Sequence, residues 1–244
     1  MDTITVGNGP HAVLALHGIQ GTRDAWLPVA KQLSSHARFI LPNLRGRGAA
    51  MRYSNLDEYS LREYAHDVEE VARSCLNDQP FVLAGWSMGV SVALQYVAIA
   101  SGPQPRQLVL LSGTPKLCDA KWFHGEQGDL MNEIANREAR LGLRNAADHN
   151  AVALTWLAIR DSDQRPLLSN VEQPTLVEQP TLVVHGREDE DSPWDHGVEL
   201  SSGLPNARLV SIDGAGHSLL TANTAHVCDE LLQLFEKNGN YDAT

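Results

Sequence analysis

The pentapeptide Gly85-Trp86-Ser87-Met88-Gly89 constrains the fold of this chain more than any other stretch. The apolar run Phe81-Val82-Leu83-Ala84 leads into it, and a helix-like run over residues 90–100 leaves it. A serine on so sharp a strand-to-helix turn sits in strained backbone, and neighbours without a Cβ let the two segments pack closely. The turn pushes the Ser87 hydroxyl out of the fold, where the N–H groups of the new helix face whatever reacts there. A glycine-rich turn with an incidental serine has the same residues. Ser87 is therefore a candidate nucleophile only if the chain also supplies a base and an acid.

Short apolar runs at 3–6, 12–16, 39–42, 107–111, 181–184 and 207–212 predict further strands, the first of them at an edge. Trp26, Leu27, Val29, Ala30 and Leu33 give residues 24–35 a helical spacing. Ser60-Leu61-Arg62-Glu63 is a capping box, and Leu61, Tyr64, Ala65, Val68, Val71, Ala72 and Cys75 then run down one helical face. Residues 221–235 predict a closing helix. Strand alternating with helix means an α/β fold, with a mostly parallel sheet covered on both faces. Residues 114–171 break this rhythm with helix-forming sequence over 130–143 and 146–159. They read as a helical cap, or lid, inserted between core segments 1–113 and 172–244. Its aromatics Trp122, Phe123 and Trp156 either pack the cap or line an acyl pocket. Arg137, Arg140 and Arg144 share one helix face, as a solvated stripe or as a docking patch for an acidic partner. The hexapeptide Val-Glu-Gln-Pro-Thr-Leu occurs twice in tandem, at 171–176 and 177–182. The second copy is expected to enter the next strand, because Thr181-Leu182-Val183-Val184 runs straight into His185-Gly186.

Open α/β sheets bind ligands outside the C-terminal edges of their strands. His17-Gly18-Ile19-Gln20 stands at such an edge, where glycine lets backbone N–H groups face a tetrahedral oxyanion. The Ile19 amide is the candidate donor, and His17 is expected to pack or hydrogen-bond locally. The turn Asn43-Leu44-Arg45-Gly46-Arg47-Gly48 and nearby Arg52 are expected as a solvated loop rather than as contacts for an anionic substrate. Glu188-Asp189-Glu190-Asp191 follows the strand at 181–184, and four adjacent acids repel one another unless some face solvent. One carboxylate here can orient a histidine and stabilise its imidazolium. Asp189 is the candidate and Asp191 the alternative. His217 follows the last strand in Asp213-Gly214-Ala215-Gly216-His217, whose small residues suit a loop reaching back to the serine. The order Ser, Asp, His, each after its own strand, is that of a hydrolase triad built on such a sheet.

The net charge of −11 argues against a nucleic-acid or anionic-membrane binder. Three dispersed cysteines without a C-x-x-C pair suit a reducing compartment, with Cys75 and Cys228 as small core residues. No leader-like start and no apolar run near ~18 residues is seen, so the expected location is cytoplasmic, without a membrane partner. No His/Cys/Asp group has metal-ligand spacing, and neither metal nor cofactor is expected.

Taken together, His17-Gly18, Gly85-Trp86-Ser87-Met88-Gly89, Gly186-x-x-Asp189-x-x-x-Pro193 and Gly214-x-Gly216-His217 resemble the α/β-hydrolase family across nearly the whole chain. The resemblance implies Ser87 as nucleophile, His217 as base and Asp189 as orienting acid. It also implies an oxyanion hole made by the amides of Ile19 and Met88. The family often has Asp-x-x-Gly-x-Gly-x-Ser where this chain has Asn43 to Ala50, a departure in a structural turn. Within the family the chain is similar to the pimeloyl-[acyl-carrier protein] methyl ester carboxylesterase type of biotin synthesis. Trp86 before the serine, Thr114-Pro115-Lys116 with Trp122, and the cap arginines carry that likeness. It implies hydrolysis of a carboxylic ester through an acyl-enzyme, with Trp86, Trp122 and Phe123 near the substrate. Arg137, Arg140 and Arg144 would then meet an acidic acyl-carrier protein. A serine hydrolase of another bond (thioester, lactone, amide or C–C) and a non-catalytic binding protein remain the alternatives.

Overall fold

The computed structural model describes residues 2–77, 79–124, 129–143, 145–168 and 180–239. In chain order its elements are β1 (Asp2–Val6), β2 (His11–Leu16), α1 (Leu27–Gln32), β3 (Ala37–Asn43), α2 (Leu61–Leu76), β4 (Phe81–Trp86), α3 (Met88–Ile99) and β5 (Gln107–Leu111). There follow α4 (Leu130–Leu141), α5 (His149–Ile159), α6 (Arg165–Leu168), β6 (Thr181–Gly186), α7 (Trp194–Gly203), β7 (Ala207–Ile212), α8 (Leu219–Ala222) and α9 (Thr224–Gly239). The strands form one sheet in the order β1-β3-β2-β4-β5-β6-β7. Only β1 runs antiparallel, against β3; β2 to β7 pair in parallel. Leu16 pairs with Gly85, Trp86 with Leu111, Leu111 with Val184, and Gly186 with Ile212. That register brings the turns leaving β2, β4, β6 and β7 to one edge of the sheet.

The period-two alternation of a strand divides the apolar residues between two faces. Leu14, Leu83, Leu108, Leu110 and Val183 face α2 and α3, whereas Val13, Val82, Ala84, Val109 and Val184 face α1, α8 and α9. The segment between β5 and β6 joins the first of these cores, since Ile134, Val152, Trp156 and Ile159 pack with Tyr59, Tyr64 and Met88. Burying each such side chain contributes about 1.5–3 kcal/mol, so α4 and α5 are held by apolar contact as well as by polar groups.

Several expectations shift at element ends. The helix expected over 24–35 is a short 3-10 turn, Arg23–Trp26, followed by α1, which carries Pro28 in its first turn. The helix expected over 130–143 stops at Leu141, where Gly142 adopts a left-handed φ of 62°. The one expected over 146–159 begins at His149, because the Asp148 carboxylate caps it from Ala151 N–H at 2.9 Å. The closing helix is interrupted at Asn223 into α8 and α9. Helix α7 forms although it carries Gly197 and ends on Gly203, residues that weaken a helical pattern. Strand β6 begins at Thr181, so the second hexapeptide copy supplies the sheet; the first copy lies outside the described residues. Cys228 is buried, but Cys75 is only partly so, while Cys118 is exposed. Among the described residues no helix is long and apolar enough to cross a membrane.

Candidate active site

Ser87 has φ 57° and ψ −122°, a conformation rare for a residue with a Cβ and costly unless its surroundings impose it. Those surroundings are backbone. A Cβ on Gly85 would stand 2.4 Å from the Gly89 carbonyl oxygen, and one on Gly89 would stand 2.4 Å from that of Leu16. The Ser87 N–H donates to the Leu111 carbonyl at 2.9 Å, tying the turn to β5. Ser87 Oγ lies 2.9 Å from His217 Nε2. On the other side of the ring, His217 Nδ1 lies 2.9 and 3.0 Å from the two Asp189 carboxylate oxygens. With the Nδ1 proton on the carboxylate side, Nε2 is left to accept the serine proton. Burial by itself would raise the Asp189 carboxyl. His217 and the Ser192 N–H outweigh it and hold the group below its ordinary 3.8, hence ionised at neutral pH. The Asp191 and Ser192 amides donate to its Oδ1 at 3.0 and 2.9 Å. Trp86 Nε1 donates to the His217 carbonyl at 2.9 Å, and its ring lies 5.4 Å from the imidazole. Trp86 thus braces the histidine loop.

Met88 opens α3, so its N–H has no carbonyl one turn back. Gly18 sits so close to the serine that a Cβ there would lie 3.1 Å from Ser87 Cβ. His17 takes the local role expected of it. It is wholly buried, its Nδ1 bonds the Gly18 carbonyl at 2.8 Å, and its Nε2 accepts the Leu44 N–H at 3.0 Å. Burial, aided by the neighbouring Arg47 charge, pushes its pKa down to about 3, so the ring is neutral. The loop after β3 departs from expectation. Arg45 and Arg47 are buried and only Arg52 is exposed. Left-handed Gly46 and Gly48 fold the loop inward. Arg45 pairs with Asp67 at 2.7 and 2.8 Å, while Arg47 bonds the Ile19 carbonyl, Tyr64 and Thr155.

The alternative acid, Asp191, meets arginines instead of the histidine. Its Oδ1 accepts from Arg140 Nη2 at 2.6 Å and Arg137 Nε at 3.3 Å. Burial would raise this carboxyl too, but Arg137, His217 and Arg140 keep it below its ordinary 3.8. Arg137 is therefore neither a solvated nor a docking cation. It is buried, and it also donates to Gln20 Oε1 at 2.7 Å. Helical spacing places it on a face with Arg140, but α4 turns that face onto the loop after β6. The Arg140 side chain is 52% exposed, and Arg144 lies outside the described residues. Trp122 and Phe123 are buried against Trp156, with ring centroids 5.8 and 5.6 Å apart, and so pack the region between β5 and β6. Gln20, Tyr64, Thr155 and His185 had drawn no functional expectation. For Gln20 the signal was its place directly after Ile19. His185 Nε2 bonds the Ser192 carbonyl at 2.7 Å beside Asp189, and burial keeps the ring neutral.

Two cavities adjoin this edge. A cleft of about 1020 Å³ is lined by charges of both signs, including Arg137, Arg140, Arg187 and Asp189, with Trp122 and Trp194. A pocket of about 440 Å³ is walled by Leu27, Trp86, Leu141, Leu143, Ser218 and Leu220. Trp86 and Ser218 are the chain neighbours of Ser87 and His217.

Residues 11–132 match a family model described as alpha/beta hydrolase fold, and residues 145–244 match one described as TAP-like protein. A pimeloyl-[acyl-carrier protein] methyl ester esterase of Nitrosomonas europaea is 28% identical, covering 88% of this chain and 91% of that protein. Its namesake from Pseudoalteromonas atlantica is 36% identical over 56% of this chain and 50% of its own length. An esterase structure from Exiguobacterium antarcticum superposes with a TM-score of 0.79 at 19% identity, covering 96% of this chain and 94% of that one. That likeness concerns the fold.

Proposed function

This chain belongs to the α/β-hydrolase family and is a carboxylesterase-type hydrolase, and from that premise we propose that Ser87, His217 and Asp189 are its catalytic triad. The unbroken line from Ser87 Oγ through both His217 nitrogens to Asp189, each contact near 2.9 Å, carries the reading. His217 Nε2 takes the hydroxyl proton as Ser87 Oγ attacks the ester carbonyl. The Ile19 and Met88 amides hold the resulting oxyanion. His217 then protonates the departing alcohol, leaving an acyl-enzyme. Water, deprotonated by the same nitrogen, releases the acid and restores Ser87. Asp189, ionised throughout, balances the imidazolium.

The pocket beside Trp86 takes the acyl chain, since leucines line much of it and it adjoins both Ser87 and His217 in sequence. Residues 114–171 act as the cap over core segments 1–113 and 172–244, for Ser87 exposes only 1% of its surface. The names of the Nitrosomonas and Pseudoalteromonas relatives support a methyl ester carried on an acyl-carrier protein as substrate. Arg140 is the cap-helix cation placed to meet such an acidic carrier; Arg137 is engaged inside. The test is hydrolysis of p-nitrophenyl esters of graded chain length, with Ser87→Ala alongside. Loss of Ser87 should lower kcat by up to about 10⁶ and abolish labelling by a fluorophosphonate. A mutant that keeps wild-type turnover would rule the triad out.

A further inference from the structure

Arg47 poses a question that the proposed mechanism leaves open. Its side chain is wholly buried, and among the described residues it has no carboxylate partner. Arg45, two residues earlier on the same loop, shows the ordinary solution, with Asp67 at 2.7 Å and Glu58 and Glu63 at 3.6 Å. A buried cation bonded only to neutral acceptors carries a heavy desolvation penalty, which mere packing does not require. Those acceptors are specific. Arg47 Nε and Nη2 donate to the Ile19 carbonyl at 3.2 and 2.6 Å. Nη1 lies 2.8 Å from the Arg45 carbonyl, 2.6 Å from Tyr64 Oη and 2.9 Å from Thr155 Oγ1. Thr155 Oγ1 donates to the Ala151 carbonyl at 2.6 Å, and so accepts from Tyr64 and Arg47. The guanidinium therefore joins the loop after β2 to α2 and α5.

The geometry of that loop gives the reason. A trans peptide points its N–H opposite its carbonyl, so whatever holds a carbonyl aims an amide. The Gly18 carbonyl, which aims the Ile19 N–H, is held by His17 Nδ1 at 2.8 Å and the Gly21 N–H at 3.2 Å. The next carbonyl, that of Ile19, is held by Arg47. The one after, of Gln20, accepts the Ala147 N–H at 2.9 Å. Three successive carbonyls are thus each held by a partner, and Ile19 is clamped on both sides of its Cα. We infer that Arg47 is a positioning residue for the oxyanion hole: its two hydrogen bonds to the Ile19 carbonyl fix the Ile19–Gln20 peptide, and so hold from the far side of the Ile19 Cα the residue whose amide serves Ser87, and its unpaired charge stands behind that loop. The inference rests on the triad reading given above.

The experiment compares wild type, Ser87→Ala, Arg47→Met and Arg47→Lys in p-nitrophenyl ester hydrolysis. It adds inhibition by an alkyl trifluoromethyl ketone, whose serine adduct places an oxyanion in the same hole, and a urea midpoint for each protein. Removing an oxyanion donor costs about 10²–10³ in kcat, and loosening one should cost less. Arg47→Met is expected to lose roughly 10–100-fold in kcat with KM within about twofold, and to bind the ketone more weakly in parallel. Arg47→Lys keeps the charge and loses the forked contact, so it should fall between. A role in folding alone would lower the urea midpoint and leave both kinetic readouts near wild type. Folded Arg47→Met with unchanged kcat and ketone affinity overturns the inference; if that variant does not fold, wild-type values in Arg47→Lys overturn it. Should Ser87→Ala retain turnover, the triad reading fails first and this inference with it.

Discussion

Replacing Arg137 by methionine gives a sharp test of how α4 is fastened to the acid loop. Methionine preserves the stem and removes the guanidinium, so the perturbation is electrostatic more than steric. Breaking one side of a buried ion pair costs about 3–5 kcal/mol, because the other charge stays buried and unpaired. Here Asp191 keeps Arg140 at 2.6 Å, and the lost Arg137 bond is a long one at 3.3 Å, so only part of that cost applies. Gln20 Oε1 loses its donor at 2.7 Å, which adds about 1 kcal/mol. The expected loss is about 2–3 kcal/mol, or roughly 4–12 °C in Tm for a chain of this size. Urea titrations of wild type, Arg137→Met, Asp191→Asn and the double mutant close a thermodynamic cycle. The coupling energy should be about 1–2 kcal/mol, since the Gln20 term does not depend on Asp191. A single-mutant loss under about 0.5 kcal/mol, or additive single mutants, would refute the claim that this pair fastens α4.

Acid sensitivity follows from the same carboxylates. Asp189 and Asp191 are both held below their ordinary 3.8 in the folded protein, so their contribution is complete above about pH 5 and is lost as pH falls through 3.8 toward the folded values. The wild-type urea midpoint should therefore fall between about pH 5 and 3, and that of Asp191→Asn should fall less steeply; equal slopes would contradict it. Gly85→Ala sets a Cβ 2.4 Å from a backbone oxygen in the serine turn. It should cost about 3 kcal/mol and abolish fluorophosphonate labelling, and normal labelling would show that the turn can relax. Trp156→Ala removes the ring packed between Trp122 and Phe123 and should cost about 3–5 kcal/mol. Activity toward a short p-nitrophenyl ester, measured well below the melting range, should stay within a few-fold of wild type.

What could be read from the chain alone was whatever a short window or a strand end determines. The serine turn was legible because Gly85 and Gly89 are demanded by contacts within the turn and with the adjacent strand. The meeting of Ser87, Asp189 and His217 was legible because each follows a strand, and a parallel sheet delivers all such turns to one edge. The same logic picked the hexapeptide copy that enters β6. Burial of charge was not legible. Spacing put Arg137 and Arg140 on one stripe, yet the carboxylate that both meet, and against which Arg137 is buried, lies 54 and 51 residues away. Arg47 looked like loop surface until Thr155, 108 residues on, came to meet it. Backbone period and turn geometry are local properties, whereas the cost of burying a charge depends on which polar groups surround it in space, and only the folded arrangement of β2, α2, α4 and α5 decides that.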